Sequence, residues 1–101
     1  MTVRRTWKKF ESRVAAYFGG ERNPLSGGNS KHTRADVIHN DLFIECKLRQ
    51  NPAIWNLYEN TKEMAIDENK IPVLAIQKKN KKGFLICVHS NDFKKIIERK
   101  T

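Results

Sequence analysis

The residues of this chain best suited to chemistry gather in one short stretch, RADVIHNDLFIECKLR, from Arg34 to Arg49. Asp36, Glu45 and Lys47 interrupt runs of Val, Ile, Leu and Phe that would otherwise make well-buried strands. The stretch reads as a hairpin, with strands over Asp36 to Ile38 and Leu42 to Leu48 and a tight turn at His39-Asn40-Asp41. Alternation sends Glu45 and Lys47 to one face of the second strand while Ile44, Cys46 and Leu48 fill the other. A short turn brings Asp36 alongside Glu45 on that same face. Neighbouring carboxylates repel, so keeping both ionised favours a bound cation, and all-oxygen ligation suits a hard one, Mg²⁺ with Mn²⁺ as a substitute.

The charge balance names a partner for such a site. Lys and Arg number 20 against 11 acidic residues, a formal charge of +9. A surplus of this size spread along a chain favours a polyanion, most simply nucleic acid. A hard cation polarises a phosphoryl oxygen and acidifies a water, and Lys47 would orient that water or offset charge developing at phosphorus. An isolated E-x-K is ordinarily a solvated ion pair. The conjunction singles this one out: an acid on the preceding strand, a short hairpin, a basic chain, and one further misplaced carboxylate, Glu11.

Glu11 belongs to the segment TWKKFESRVAAYFGG, whose Trp7, Phe10, Val14, Tyr17 and Phe18 fall at helical spacing, with Thr6 as a candidate N-cap and Gly19-Gly20 as a stop. On that helix Glu11 lies on the apolar stripe, where a solvated residue is not expected, and can join the metal cluster directly or through water. A Gly-, Ser- and Asn-rich loop follows, with at most a short strand around Leu25 to Ser30. After the hairpin, Asn51 as cap and Pro52 at the first helical position open a second helix carrying Ile54, Trp55, Tyr58, Met64 and Ala65. IPVLAIQ and FLICV are continuous apolar runs expected as strands buried on both faces, and Ser90 caps a short final helix. With 101 residues and 39% hydrophobic content, the expectation is one domain over residues 1–101. The order αβββαββα implies an α/β fold with a central mixed sheet flanked by helices. The N-terminus lacks the apolar core of a signal peptide and no run reaches membrane-spanning length, so an intracellular, cytoplasmic protein is expected, without a membrane partner.

With these residues in place the chain resembles the PD-(D/E)XK nucleases, whose motif is an Asp on one strand and E-x-K on the next, here A-D-V and E-C-K. Within that superfamily it is most similar to the archaeal-type Holliday junction resolvases. The likeness covers most of the chain: the helix with Glu11, the Ser-Gly-rich loop, FIECK, IPVLAIQ, a basic turn and FLICV. It implies a restriction-endonuclease-like core and a Mg²⁺-dependent homodimer that nicks branched DNA. It implies Glu11, Asp36, Glu45 and the Cys46 backbone carbonyl as metal ligands, and Lys47 as the catalytic lysine. Ser12 stands directly after Glu11 where the family often has Arg, with Arg13 one later, and either Ser26 or Ser30 corresponds to its loop serine. The alternatives are a nicking or general nuclease of phage or mobile-element DNA processing, and a DNA-binding module without turnover.

Other residues have narrower readings. Arg4, Arg5, Arg13, Arg22, Ser26, Ser30, Lys31, His32, Arg34, Lys78, Lys79, Lys81 and Lys82 are the candidate DNA contacts, most of them cations that would make binding steeply salt-dependent. Gln77, ending an apolar strand, is a candidate to orient substrate or Lys47. Trp55 and Tyr58 read as core, and with Ile54 are the candidates for a dimer contact. Cys46 and Cys87 read as buried thiols, since no C-x-x-C or H-x-x-x-H pair is present to hold zinc.

Overall fold

A computed structural model describes residues 3–24, 33–50 and 53–98, with side chains from Thr6 onward in the first stretch. Helix α1 (Val3–Phe18) leads to strands β1 (Glu21–Arg22), β2 (Val37–Ile38) and β3 (Leu42–Arg49), then helix α2 (Ile54–Asp67), strands β4 (Ile71–Lys78) and β5 (Leu85–Cys87), and helix α3 (Ser90–Glu98). The strands form one sheet in the order β1-β2-β3-β4-β5, antiparallel except for the parallel β3–β4 pair. An α/β architecture with a mixed sheet and flanking helices is what the sequence pattern implied.

The period-two alternation of β3 divides the core. Leu42, Ile44 and Cys46, joined by Val37, Val73 and Ala75, pack under Phe10, Val14 and Ala15 of α1. On the opposite face Phe43 meets Ala65 and Met64 of α2, while Leu74 and Ile76 meet Tyr58 and Leu57. Helices α1 and α2 therefore cover opposite faces of the β3–β4 pair, which is why β4 reads as a nearly continuous apolar run and β3 as one broken only from Glu45 onward. Pro72 is tolerated inside β4 because successive backbone N–H groups face alternate neighbours. Ile71 N–H donates to Asp41 on the β3 side, so the N–H that Pro72 lacks would have faced β5, which pairs only from Leu74 to Ile76.

Two glycines end α1 for different reasons. Gly19 has φ +70°, and the N–H groups of Gly19 and Gly20 donate to the carbonyls of Ala16 and Ala15, closing the helix with a left-handed residue. Gly20 lies against β2, where an added Cβ would fall 2.5 Å from the Ile38 carbonyl oxygen.

Several local expectations are corrected. Helix α1 begins at Val3, ahead of Thr6. Helix α2 is capped by Ala53 without a side-chain bond, so the helix starts after the proposed Asn51 cap and Pro52, which lie outside the described residues. His89 caps α3 in place of Ser90, its carbonyl accepting from Asp92 and Phe93 N–H and its Nδ1 from Asn91 N–H. Strand β5 is not buried on both faces: it is an edge strand of three residues with Leu85 67% exposed. Trp55, at 72% exposure, is not core, whereas Tyr58 is.

The Gly20 contact yields a stability prediction. Gly20→Ala forces backbone to move against backbone and should cost on the order of 2 kcal/mol in urea unfolding. An unchanged midpoint would mean that α1 does not abut β2 in this way.

Candidate active site

Register places the hairpin acids. Val37 pairs with Ile44, and Asp36 N–H donates to the Ile44 carbonyl at 3.0 Å, so Asp36 is the last residue of this arm held to β3. Beyond it, among the described residues, β3 runs on to Arg49 with no strand partner on that side, and the short strand expected around Leu25 to Ser30 lies outside the described residues. Asp36 fills the first vacant place with its side chain: Oδ2 accepts the Cys46 N–H at 2.7 Å. In an extended strand the N–H and C=O of one residue point to the same side, so the Cys46 carbonyl also faces the side where Asp36 lies.

The turn that sets this register is closed by His39, whose Nδ1 accepts from both Asp41 and Leu42 N–H groups. The arm before Asp36 is clamped as well. Asn23 is buried, donates from Nδ2 to the carbonyls of Thr33 and Ala35, and donates its N–H to the Asp36 carbonyl. Thr33 Oγ1 donates to Glu68 Oε1 while accepting from Ala35 N–H, and Glu68 Oε2 accepts from Arg34 N–H at 2.9 Å. The sequence reading missed Asn23, Thr33 and Glu68. Asn23 sits in a stretch of loop composition, and its role depends on carbonyls ten and twelve residues away.

Glu45 and Lys47 leave β3 on one face, Nζ to Oε2 at 3.3 Å. Glu45 Oε1 is buried without a hydrogen-bond partner. Burial pushes the Glu45 pKa up to about 7, and the negative charges of Asp36 and Glu11 add to the rise against the opposing pull of Lys47. The same surroundings, burial first and then Asp36, Glu11 and Glu45, push the Cys46 thiol far up and keep it protonated. Glu11 is 2% exposed on the α1 stripe, with Arg22 Nε 3.2 Å from Oε1.

The three carboxylates thus share one electrostatic neighbourhood, each turned to a partner within the protein: Glu11 to Arg22, Asp36 to Cys46 N–H, Glu45 to Lys47. Among the described residues no three His, Cys, Asp or Glu side chains are arranged to hold a metal ion as they stand. The donors nevertheless suit a hard divalent cation. They are carboxylate oxygens with a backbone carbonyl beside them, one oxygen is buried and unsatisfied, and their mutual repulsion is what a cation would relieve. For such a site to form, Glu11 would have to leave Arg22 and Asp36 the Cys46 N–H.

The remaining predicted residues scatter. Arg22 is occupied by Glu11, and Arg34 is exposed but paired with Asp67 at 3.1 Å. Arg13 stacks on Phe10 and donates to Gln77 Oε1 at 2.7 Å. Gln77 pairs in register with Leu48, on the face opposite Lys47, and donates to the Lys81 carbonyl, so it does not orient Lys47. Lys78, Lys79, Lys81 and Lys82 are exposed at the β4–β5 connection. Ser26, Ser30, Lys31, His32 and the side chains of Arg4 and Arg5 lie outside the described residues. Compared with known proteins, the chain matches no family model, no curated protein and no solved structure.

The raised Glu45 pKa fixes the sign of a pH effect. Between the ordinary value of 4.5 and about 7 the folded protein holds a proton that the unfolded chain has released, so in EDTA stability falls as pH rises through that window. Glu45→Gln should flatten this slope and make the metal-free protein more stable than the parent at pH 8. Urea unfolding at pH 5 and pH 8 measures both, and a parent more stable than the variant at pH 8 would contradict the assignment.

Proposed function

We propose that the protein is a metal-dependent DNA endonuclease of the PD-(D/E)XK kind, hydrolysing phosphodiester bonds in branched or junction DNA as a homodimer. The observation that carries this reading is the Asp36–Glu45–Lys47 cluster on β3, with Glu45 Oε1 buried and unsatisfied and its proton retained to about pH 7 by burial and two neighbouring acids. Acids forced together at the cost of ionisation are difficult to explain as a solvated strand face. The formal charge of +9 supports a polyanionic partner.

Glu11, Asp36, Glu45 and the Cys46 carbonyl would hold Mg²⁺ or Mn²⁺. The ion supplies Lewis-acid polarisation of the phosphoryl group and an acidified water. Lys47 Nζ, held beside Glu45, donates to the attacking water or to a phosphate oxygen whose charge grows toward the transition state. Arg22, its Nε 3.2 Å from Glu11 Oε1, holds that carboxylate in place on the apolar stripe. The apolar α1 face of β3 anchors the strand, so that Glu45 and Lys47 project from a rigid element.

Two incisions placed symmetrically across a junction need two sites, and a second copy of the chain supplies the other. Ile54, Trp55, Leu85, Ile86, Phe93 and Ile97 are all exposed and support such a contact around α2, β5 and α3. Tyr58 drops out of the expected dimer contact because it is only 6% exposed.

A cleavage assay on a four-way junction, a flap, a linear duplex and a single strand, each with Mg²⁺ and with EDTA, tests the reading. Cleavage that requires Mg²⁺ and favours the junction is expected. Junction-independent cleavage would point to a nicking or general nuclease, and binding with no cleavage at all to a DNA-binding module. Asp36→Asn and Glu45→Gln should each lower cleavage by at least about 100-fold while leaving DNA binding intact. Lys47→Ala should lower turnover far more than affinity. Near-parental cleavage by either carboxylate variant would rule out this site. Sedimentation with and without junction DNA should show a dimer, and a strict monomer in both would remove the resolvase assignment.

A further inference from the structure

A cleft of about 310 Å³ opens beside the candidate site, lined by Trp7, Cys46, Lys47, Leu48, Arg49 and Lys79. Its composition is unusual for a solvated groove. Every charged side chain on its wall is a cation, and one wall is an indole left 43% exposed. The backbone draws Arg49 and Lys79 together, since Lys79 N–H donates to the Arg49 carbonyl at 3.3 Å where β3 and β4 end. Among the described residues neither Arg49 nor Lys79 makes an ion pair. Trp7 stands one helical turn before Glu11, on the same side of α1. Cys46 and Lys47 border both the cleft and the acid cluster, so whatever fills the cleft lies next to the group acted upon.

We infer that this cleft is a subsite for one unpaired nucleotide, its base stacked on Trp7 and its phosphate held between Arg49 and Lys79. The inference rests on the nuclease reading and deepens it. The size is at the small end for ligand sites and suits a single nucleotide rather than a helix. An aromatic face beside cations is the arrangement that holds single strands without sequence preference, because every base offers a π-face and every nucleotide a phosphate. A base inside a duplex has both faces covered by its neighbours and cannot stack on Trp7. The substrate must therefore present a frayed or splayed nucleotide next to the cleaved bond, as strands do at a branch point. The sequence contains the three residues but not their meeting. Trp7 read as part of the apolar helical stripe, Lys79 as one of many candidate DNA contacts, and Arg49 had no role assigned.

The test separates base from phosphate. The chain has two tryptophans, and Trp55→Phe leaves Trp7 as the sole indole, excited selectively at wavelengths the tyrosines do not absorb. In EDTA, where no turnover occurs, this protein is titrated with a short oligothymidylate and with an abasic strand carrying the same number of phosphates. The oligothymidylate should quench Trp7 and bind about tenfold tighter than the abasic strand. Trp7→Ala should bring the two affinities together, Trp7→Phe should keep the preference, and Arg49→Gln should weaken both strands about equally. Equal affinities in the starting protein, or a preference that survives Trp7→Ala, would overturn the subsite. The Mg²⁺ cleavage assay reports separately on the nuclease reading. Cleavage without a base preference removes the subsite alone, whereas a base preference without cleavage keeps the subsite and removes the enzyme.

Discussion

Much of the local geometry depends on one hydrogen bond, from Cys46 N–H to the carboxylate of Asp36. Among the described residues the β2 arm is held to β3 only as far as Asp36, and the next N–H along β3 needs an acceptor. Supplying that acceptor from a side chain satisfies the ladder and at the same time fixes a carboxylate beside Glu45. A backbone carbonyl in its place would have satisfied the strand equally well and left no acid pair. Everything nearby serves to hold Asp36 in that position: His39 closes the turn, Asn23 binds the carbonyls of Thr33, Ala35 and Asp36, and Glu68 clamps Thr33 and Arg34 from the end of α2.

The electrostatic consequence is a site under tension. Glu45 retains its proton to about pH 7, mainly through burial and then through Asp36, although Lys47 is 3.3 Å away. In the proposed enzyme this is the state before the metal arrives. Arg22 and Lys47 act as internal counter-ions that keep the cluster soluble in the protein interior, and a divalent ion would replace them with a stronger and better-placed charge. The cationic cleft with Trp7 lies along the same part of β3, which among the described residues has no strand partner past Asp36. The geometry that brings the acids together also leaves room for a nucleotide beside them.

The parts of this arrangement legible in the sequence were those set by periodicity. Alternation of FIECKL placed Glu45 and Lys47 on one face, the short turn put Asp36 across from Glu45, and the helical stripe exposed Glu11 as a misfit that proves to be 2% exposed. The parts that were not legible depend on where elements stop or how far their edges are covered. FLICV has the composition of a buried strand, but β5 lies at the sheet edge and α3 buries none of its residues, so Leu85 and Phe93 remain exposed. Trp55 and Tyr58 share a helix, yet only Tyr58 faces Leu74 and Ile76. Gln77 follows an apolar run toward the site, and strand parity turns it to the other face. Arg22 pairs with Glu11, eleven residues upstream, a contact that no spacing in the sequence announces.

In the proposed enzyme, Asp36, Glu45 and the Cys46 carbonyl bind a hard divalent cation. Amide NMR during a Mn²⁺ titration tests it most directly, because paramagnetic broadening falls off steeply with distance and needs neither DNA nor turnover. The amides of Asp36, Glu45, Cys46 and Lys47 should broaden first, at substoichiometric Mn²⁺, and Glu45→Gln should abolish this selectivity. Broadening centred elsewhere, or an unchanged pattern in Glu45→Gln, would contradict it.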